Sequence, residues 1–298
     1  MIEVPAAFVA STVAREGPVG RSWLDALPRL VEELCDLWRL EPVGPPRHGY
    51  VGIVVPVTRD GGRLALKVSW IDQSSEQEVL VLRAWDGHGA VHLLESREEK
   101  GAMLLEWLNP DRTLAALPAD DAARVAATLL RRLAIPAPEQ LRSVRAEVED
   151  FAGKLRSQWE RLGRPFPSRL LEHTLELCRP GAESSDRLIV NQDLHYDNVL
   201  EGTREPWAVI DPKALAGEPE FCVAQLLWNR FEDLGSRTAL LRRLDVIAEV
   251  ADLDADAALR WTVVRVVDYW IWALSEGFTE DPVKCSTLID WLVPALPG

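Results

Sequence analysis

Residues 191–200 read Asn-Gln-Asp-Leu-His-Tyr-Asp-Asn-Val-Leu, and residues 209–213 read Val-Ile-Asp-Pro-Lys. Three short runs, Leu188-Ile189-Val190, Asn198-Val199-Leu200 and Trp207-Ala208-Val209-Ile210, frame them and predict a patch of β-structure. Asp193 and Asn198 then share the loop between two strands, and Asp211 closes the third strand. That combination carries the logic of phosphoryl transfer. A carboxylate at the start of the loop accepts a hydroxyl proton and orients the attacking oxygen. An Asn amide oxygen and a second carboxylate hold Mg²⁺ across nucleotide phosphates. An Asp-x-x-x-x-Asn pair alone arises by chance; the flanking strands, Asp211 and an upstream strand lysine make it a site.

Upstream, Val51, Ile53, Val55 and Val57 alternate, as do Leu64, Leu66 and Val68, around the turn signal Asp60-Gly61-Gly62. These are two strands of a hairpin. Residues 75–85 predict a helix ended by Gly87-His88-Gly89. Residues 91–94 and 102–106 predict further strands, and Asn109-Pro110 breaks the pattern. Ahead of the sheet, residues 27–40 predict an amphipathic helix with Pro28 in its first turn, stopped by Pro42, Pro45 and Pro46. Beyond residue 109 helices dominate, over 120–133, 147–162, 168–178, 220–230, 236–252 and 254–277. The fold class is α+β: a small mixed part, then a larger helical part with the β patch inserted.

Composition narrows the partners. There are 33 Lys plus Arg against 47 Asp plus Glu, a net charge of −14. So acidic a chain has little cation to spare for a nucleic-acid backbone or an anionic membrane. It suits a cationic ligand, or uses its charge only for solubility. No apolar run nears the ~20 residues of a membrane span, and the N-terminus lacks the pattern of a signal peptide. Four cysteines, far apart and without a Cys-x-x-Cys pair, fit reduced thiols in the cytoplasm.

The segment Asp193-Leu194-His195-Tyr196-Asp197-Asn198 resembles the catalytic loop of the aminoglycoside phosphotransferase family, whose usual form begins His-Gly-Asp. Residues 207–219, Trp-Ala-Val-Ile-Asp-Pro-Lys-Ala-Leu-Ala-Gly-Glu-Pro, resemble the streptomycin 6-kinase and hydroxyurea-type subgroup, where Asp-Pro-Lys or Asp-Pro-His replaces Asp-Phe-Gly. Leu66-Lys67-Val68-Ser69-Trp70, residues 82–91 and Gly101-Ala102-Met103-Leu104-Leu105-Glu106 are similar to that subgroup in order and spacing. The likeness spans residues 23–230 and weakens toward the C-terminus.

The resemblance implies a bilobal protein-kinase-like fold. Residues 1–108 would form an N-lobe with the N-terminal helix, a five-stranded antiparallel sheet and a Lys/Glu pair. Residues 109–298 would form a mostly helical C-lobe with the catalytic hairpin and the substrate cleft. It also implies ATP, or GTP in its place, with Mg²⁺. Lys67 would hold the α- and β-phosphates and pair with Glu78, with Glu76 as the alternative partner. The physical case is independent: Leu66 and Val68 point away from Lys67 in a strand, while Glu78, Leu82 and Trp85 share one helix face. Gly49-Tyr50-Val51-Gly52 would cover the phosphates, short of a full G-x-G-x-x-G. The backbone of Glu106-Trp107-Leu108 would read adenine between the lobes. Asp193 would be catalytic, with Asn198 and Asp211 on the metal.

The activity so implied moves a γ-phosphoryl group to a hydroxyl of a small cationic molecule, an aminoglycoside such as streptomycin, in antibiotic resistance. A kinase for a metabolic amino sugar, choline-like or natural-product alcohol is the alternative, and a non-catalytic nucleotide-binding module a third. No nucleic-acid or membrane partner is implied, and the chain would act as a monomer or homodimer. Asp197, Glu218, Asp268, Trp270 and Glu276 are acceptor-side candidates, because carboxylates beside aromatic faces suit a cation; aromatics at helical spacing are more often core. Lys213 either neutralises phosphate charge or pairs with Glu218, and His195 is assigned a structural hydrogen bond. Three departures from the family pattern stand out: Asn191-Gln192 for His-Gly, Cys222 for an Asp that braces the loop, and Leu133-Ala134 for Leu-His.

Overall fold

The structure is a computed structural model that describes residues 2–179 and 187–296, the side chains of 73–76 excepted. It divides into two compact units, Met1–Asn109 and Pro110–Gly298.

The first unit opens with α1 (Ala6–Trp38), which starts far ahead of the predicted Leu27. Gly17, at φ 62 and ψ −141, breaks the helical geometry into two pieces. Pro18 then begins the second piece, where its missing N–H costs nothing. Pro28 is inside the helix rather than in its first turn. The burial of Phe8, Leu24, Leu27, Val31, Leu34 and Trp38 against the sheet offsets it. A mid-helix proline costs about 3 kcal/mol, whereas each large apolar side chain buried contributes about 1.5–3 kcal/mol.

Next come β1 (Glu41–Pro42), β2 (Arg47–His48), β3 (Gly52–Arg59), β4 (Gly62–Ser69), α2 (Gln73–Trp85), β5 (Leu93–Arg97) and β6 (Ala102–Glu106). They build a six-stranded antiparallel sheet in the order β1-β3-β4-β6-β5, with β2 also on β3. The sheet thus exceeds the expected five strands, because two-residue strands are too short to show alternation. Asp60 (φ 51) and Gly61 (φ 79) form the tight β3–β4 turn in the left-handed conformation such hairpins need. Alternation along β4 sends Leu66 and Val68 into the core under α1 and leaves Lys67 to the opposite face.

The second unit holds β7 (Asn109–Thr113, starting at the boundary), α3 (Ala119–Leu133), α4 (Val144–Arg161), α5 (Ser168–Leu177), β8 (Leu188–Asn191), β9 (Val199–Glu201), β10 (Trp207–Val209) and β11 (Ala214–Gly217). After these come α6 (Val223–Trp228), α7 (Arg237–Ala251), α8 (Ala255–Ser275) and α9 (Glu280–Leu292). Asn109-Pro110 therefore enters a strand instead of breaking the pattern. The expected helix over 220–230 is a 3-10 turn, Pro219–Cys222, followed by α6. β11 and α9 were not anticipated. Helix α8 is buried on nearly every side and packs against α4, α5, α6, α7 and α9. Among the described residues no helix is long and apolar enough to cross a membrane.

Two ladders set the site. In one, β8 and β11 pair with Asn191 opposite Ala214; in the other, β9 and β10 pair with Val199 opposite Val209. Residues 192–198 and 210–213 both cross from one ladder to the other. The two loops are thereby forced to lie side by side.

Candidate active site

Asn191, 4% exposed at the end of β8, ties these loops together. Its Oδ1 accepts the backbone N–H groups of Asp193 and Lys213, each at 3.1 Å. The Gln192 N–H donates to the Lys213 carbonyl at 2.9 Å. Asp193 follows at the loop's entry, and its carboxylate is gripped at both oxygens. Gln225 Nε2 of α6 donates to Oδ1 at 2.9 Å, and Lys213 Nζ stands 2.8 Å from Oδ2. A carboxylate so held cannot rotate freely, which is what orientation of an attacking hydroxyl requires.

At the loop's other end, Asn198 Nδ2 donates to the Asp193 carbonyl at 3.3 Å, leaving its side-chain oxygen as the acceptor end. Across the ladder, Asp211 has φ 49. A side-chain-bearing residue in that region costs about 1–2 kcal/mol, and such strain persists only where the surroundings enforce it. Pro212 follows, and then Lys213, whose backbone is anchored to Asn191 and Gln192. Tyr196 is fully buried and donates to the Leu226 carbonyl at 2.8 Å, fastening the middle of the loop to α6.

Behind the loop lies Arg265 of α8. It donates to Gln192 Oε1 at 3.0 Å and to the Gln192 carbonyl at 3.1 Å, and its guanidinium lies 4.9 Å from the Phe221 ring centre. The Asn191-Gln192 pair thus keeps a brace on both sides, one to Lys213 and one to Arg265. Cys222 is buried, and desolvation pushes its thiol up to about 12, so it is an inert packing group.

In the first unit, Lys67 Nζ meets both oxygens of Glu78, at 2.6 and 2.7 Å, with the two residues 8% and 4% exposed. The alternative partner, Glu76, has its side chain outside the described residues. Gly49 N–H donates to the Gly52 carbonyl at 2.9 Å, closing a tight turn between β2 and β3. A Cβ at Gly52 would meet the Val68 carbonyl at 2.7 Å, so close strand packing alone requires that glycine; at Gly49 a Cβ would meet nothing. Arg15 of α1 covers the turn, 4.5 Å from the Tyr50 ring centre and donating to the Tyr50 carbonyl at 2.9 Å. Glu106 ends β6, where its N–H donates to the His92 carbonyl and its side chain accepts from the His92 N–H; Leu108 is buried.

The acceptor-side candidates divide. Asp197 is exposed beside His195, whose Nδ1 lies 3.7 Å away, too far for a hydrogen bond; the ring still holds the Asp197 carboxyl below its usual range. His195 Nδ1 is buried without a hydrogen-bond partner. Glu218 is engaged by Trp261 Nε1 at 2.7 Å and Arg260 Nη2 at 3.3 Å, and Lys213 pairs with Asp193 instead of with it. Asp268 keeps 41% of its side chain open and stands 3.8 Å from Arg265. Its setting among α8's neighbours raises its pKa by desolvation, against the pull of Arg265. Trp270 is 7% exposed and packs on Phe166 at 5.1 Å between ring centres. Phe166 also lines a hollow of about 480 Å³ with Trp159, Arg164 and Pro165. Glu276 is exposed at the C-cap of α8, two turns beyond Asp268.

Gln225, Arg265 and Arg15 escaped the sequence reading. Each contributes through a partner far away in the chain, and no local pattern marks such a residue.

A model of the family described as aminoglycoside/hydroxyurea antibiotic resistance kinase matches residues 37–277. The chain is 37% identical over 289 residues to a streptomycin 6-kinase of Streptomyces glaucescens, covering 93% of this chain and 92% of that protein. It is 39% identical over 292 residues to a hydroxyurea phosphotransferase of Kitasatospora aureofaciens, covering 93% and 82%. Among solved structures, aminoglycoside phosphotransferase APH(4)-Ia superposes with a TM-score of 0.63 at 15% identity, over 91% of this chain and 100% of that one. That likeness is one of fold: a bilobal kinase-like architecture with an antiparallel sheet and a helical part.

Proposed function

This chain belongs to the aminoglycoside/hydroxyurea antibiotic resistance kinase family, and from that premise we propose that it moves the γ-phosphoryl group of ATP to a hydroxyl of a small cationic acceptor, a streptomycin-type aminoglycoside foremost. The observation that carries the proposal is the Asp193 carboxylate, immobilised between Gln225 and Lys213, with Asn198 bonded to its backbone carbonyl. Asp193 would take the acceptor's proton and aim its oxygen. Lys67, held by Glu78, would bind the nucleotide phosphates, and the turn at Gly49 and Gly52 would cover them. The main chain of Glu106 and Leu108 would read the base.

Asn198 and Asp211 suit Mg²⁺ because both offer hard oxygen donors, and the Asn198 amide is oriented by its bond to the Asp193 carbonyl. Bound there, Mg²⁺ would neutralise charge on the phosphates. On the acceptor side, Asp197 and Asp268 are the accessible carboxylates closest in sequence to the loop and its Arg265 brace, and Glu276 is further out. Trp270 and Glu218 would act on the acceptor only through the groups they pack against. The four cysteines are buried and free, in keeping with a cytoplasmic, ATP-supplied enzyme.

The test is a turnover screen with Mg-ATP over streptomycin, other aminoglycosides, choline-like and neutral alcohols, and hydroxyurea. Phosphorylation of an aminoglycoside is expected. Turnover confined to hydroxyurea or to a metabolic alcohol would move the chain to that substrate class. The variant Asp193→Ala should bind Mg-ATP like the wild type and lose turnover; full activity in it would overturn the assignment.

A further inference from the structure

We propose that Lys213 is a catalytic residue whose ammonium pairs with Asp193 before reaction and with the transferred phosphoryl group during it, an inference that rests on the function proposed above. The lysine is 50% exposed and stands 2.8 Å from Asp193 Oδ2. The lysine end of the pair lies half in water, where an ion pair contributes about 0–1 kcal/mol to stability, and Asp193, 17% exposed, is already held by Gln225, so folding does not account for the lysine's placement. Its backbone is fixed twice, the N–H on Asn191 Oδ1 and the carbonyl on the Gln192 N–H. Pro212 restricts the segment before it. The Cα is thus anchored, while four methylenes leave the ammonium able to swing about the carboxylate.

Charge movement in the reaction gives that freedom a use. The acceptor oxygen forms a bond to Pγ as the bond from Pγ to the β,γ-bridging oxygen breaks, and ADP leaves with that electron pair. The hydroxyl proton passes to Asp193 Oδ2, which becomes neutral and loses its hold on Lys213. With Asp193 neutral, the phosphoryl oxygens are the negative charge left beside the ammonium, which keeps its own proton and turns to them. The interaction strengthens only as transfer proceeds, the condition for raising kcat rather than lowering KM. Gln225 stays on Oδ1 throughout and is a positioning residue.

The experiment compares the wild type, Lys213→Met and Lys213→Cys for Mg-ATP binding, acceptor KM and kcat. Because Cys35, Cys178, Cys222 and Cys285 are buried, 2-bromoethylamine should alkylate the thiol at 213 selectively and rebuild an ammonium of nearly the same reach. Both variants should keep Kd for Mg-ATP and acceptor KM within about threefold while kcat falls about 100-fold or more. Aminoethylation of K213C should restore kcat at least about tenfold and leave K213M unchanged. A K213M variant with wild-type kcat overturns the proposal, as does a loss confined to KM or an aminoethylated K213C that regains nothing. A wild type inactive on every acceptor would overturn the parent function as well; an active wild type with an indifferent Lys213 overturns this inference alone.

Discussion

Asn191 Oδ1 accepts the backbone N–H of Lys213 at 3.1 Å across 22 residues of chain, and the same oxygen takes the N–H of Asp193. One buried side chain thereby fixes the spacing between the loop that carries Asp193 and the loop that carries Asp211. Replacement by Leu, similar in size, would strand two donors in a dry setting. Asn191→Leu should lower the urea-unfolding free energy by about 1–3 kcal/mol and reduce kcat more than it raises KM for ATP. Unchanged stability would mean that water substitutes for the amide.

The Lys67–Glu78 pair makes a different demand. Removing one partner leaves a buried charge alone, so Glu78→Leu should destabilise by about 3–5 kcal/mol. Lys67→Met with Glu78→Leu removes both charges and should recover most of that loss. Both variants should have weakened nucleotide binding, measured by calorimetric titration with Mg-ATP. An active double variant would show that the pair serves the fold only.

Asp268 sets a pH dependence. Its folded-state pKa is raised by desolvation, more than Arg265 lowers it. A raised acid contributes stability that is fully present below the unfolded pKa and lost as pH rises through the folded value. Asp268→Asn should therefore have a higher Tm than the wild type at pH 7, and the gap should close on acidification to about pH 4, near the ordinary aspartate value. A constant gap over that range would tie the effect to packing instead. If Asp268 also holds a cationic acceptor, the same variant raises acceptor KM at pH 7.

Much of this site was legible because local chemistry writes it into short spans. Lys67 flanked by Leu66 and Val68, and Glu78 on the face of Leu82 and Trp85, are consequences of the periods of strand and helix. Asp193, Asn198 and Asp211 announced themselves by strands on either side. The failures were of another kind. The helix was expected from Leu27 with Pro28 in its first turn, yet α1 begins at Ala6 and resumes after the break at Gly17, with Phe8 packed on the sheet side. Asn109-Pro110 looked like a break because proline lacks an N–H, although at the start of β7 that lack is harmless.

The amino-acid order carries the α+β class, the two kinds of structure in it and the candidates Asp193, Asn198 and Asp211 for proton acceptance and metal binding. All of these follow from composition, period and spacing within a few residues of chain. How those residues are held depends on packing between distant parts of the chain. It set Gln225 and Lys213 on the two oxygens of Asp193, Arg265 behind Gln192, and Arg15 over Tyr50. It also withdrew Glu218 into a bond with Trp261. Each of these contacts joins residues separated by 20 or more positions, as from Lys213 back to Asp193. Hydrogen bonds and ion pairs act over about 3 Å of space, whatever the distance along the chain, so packing alone chooses their partners.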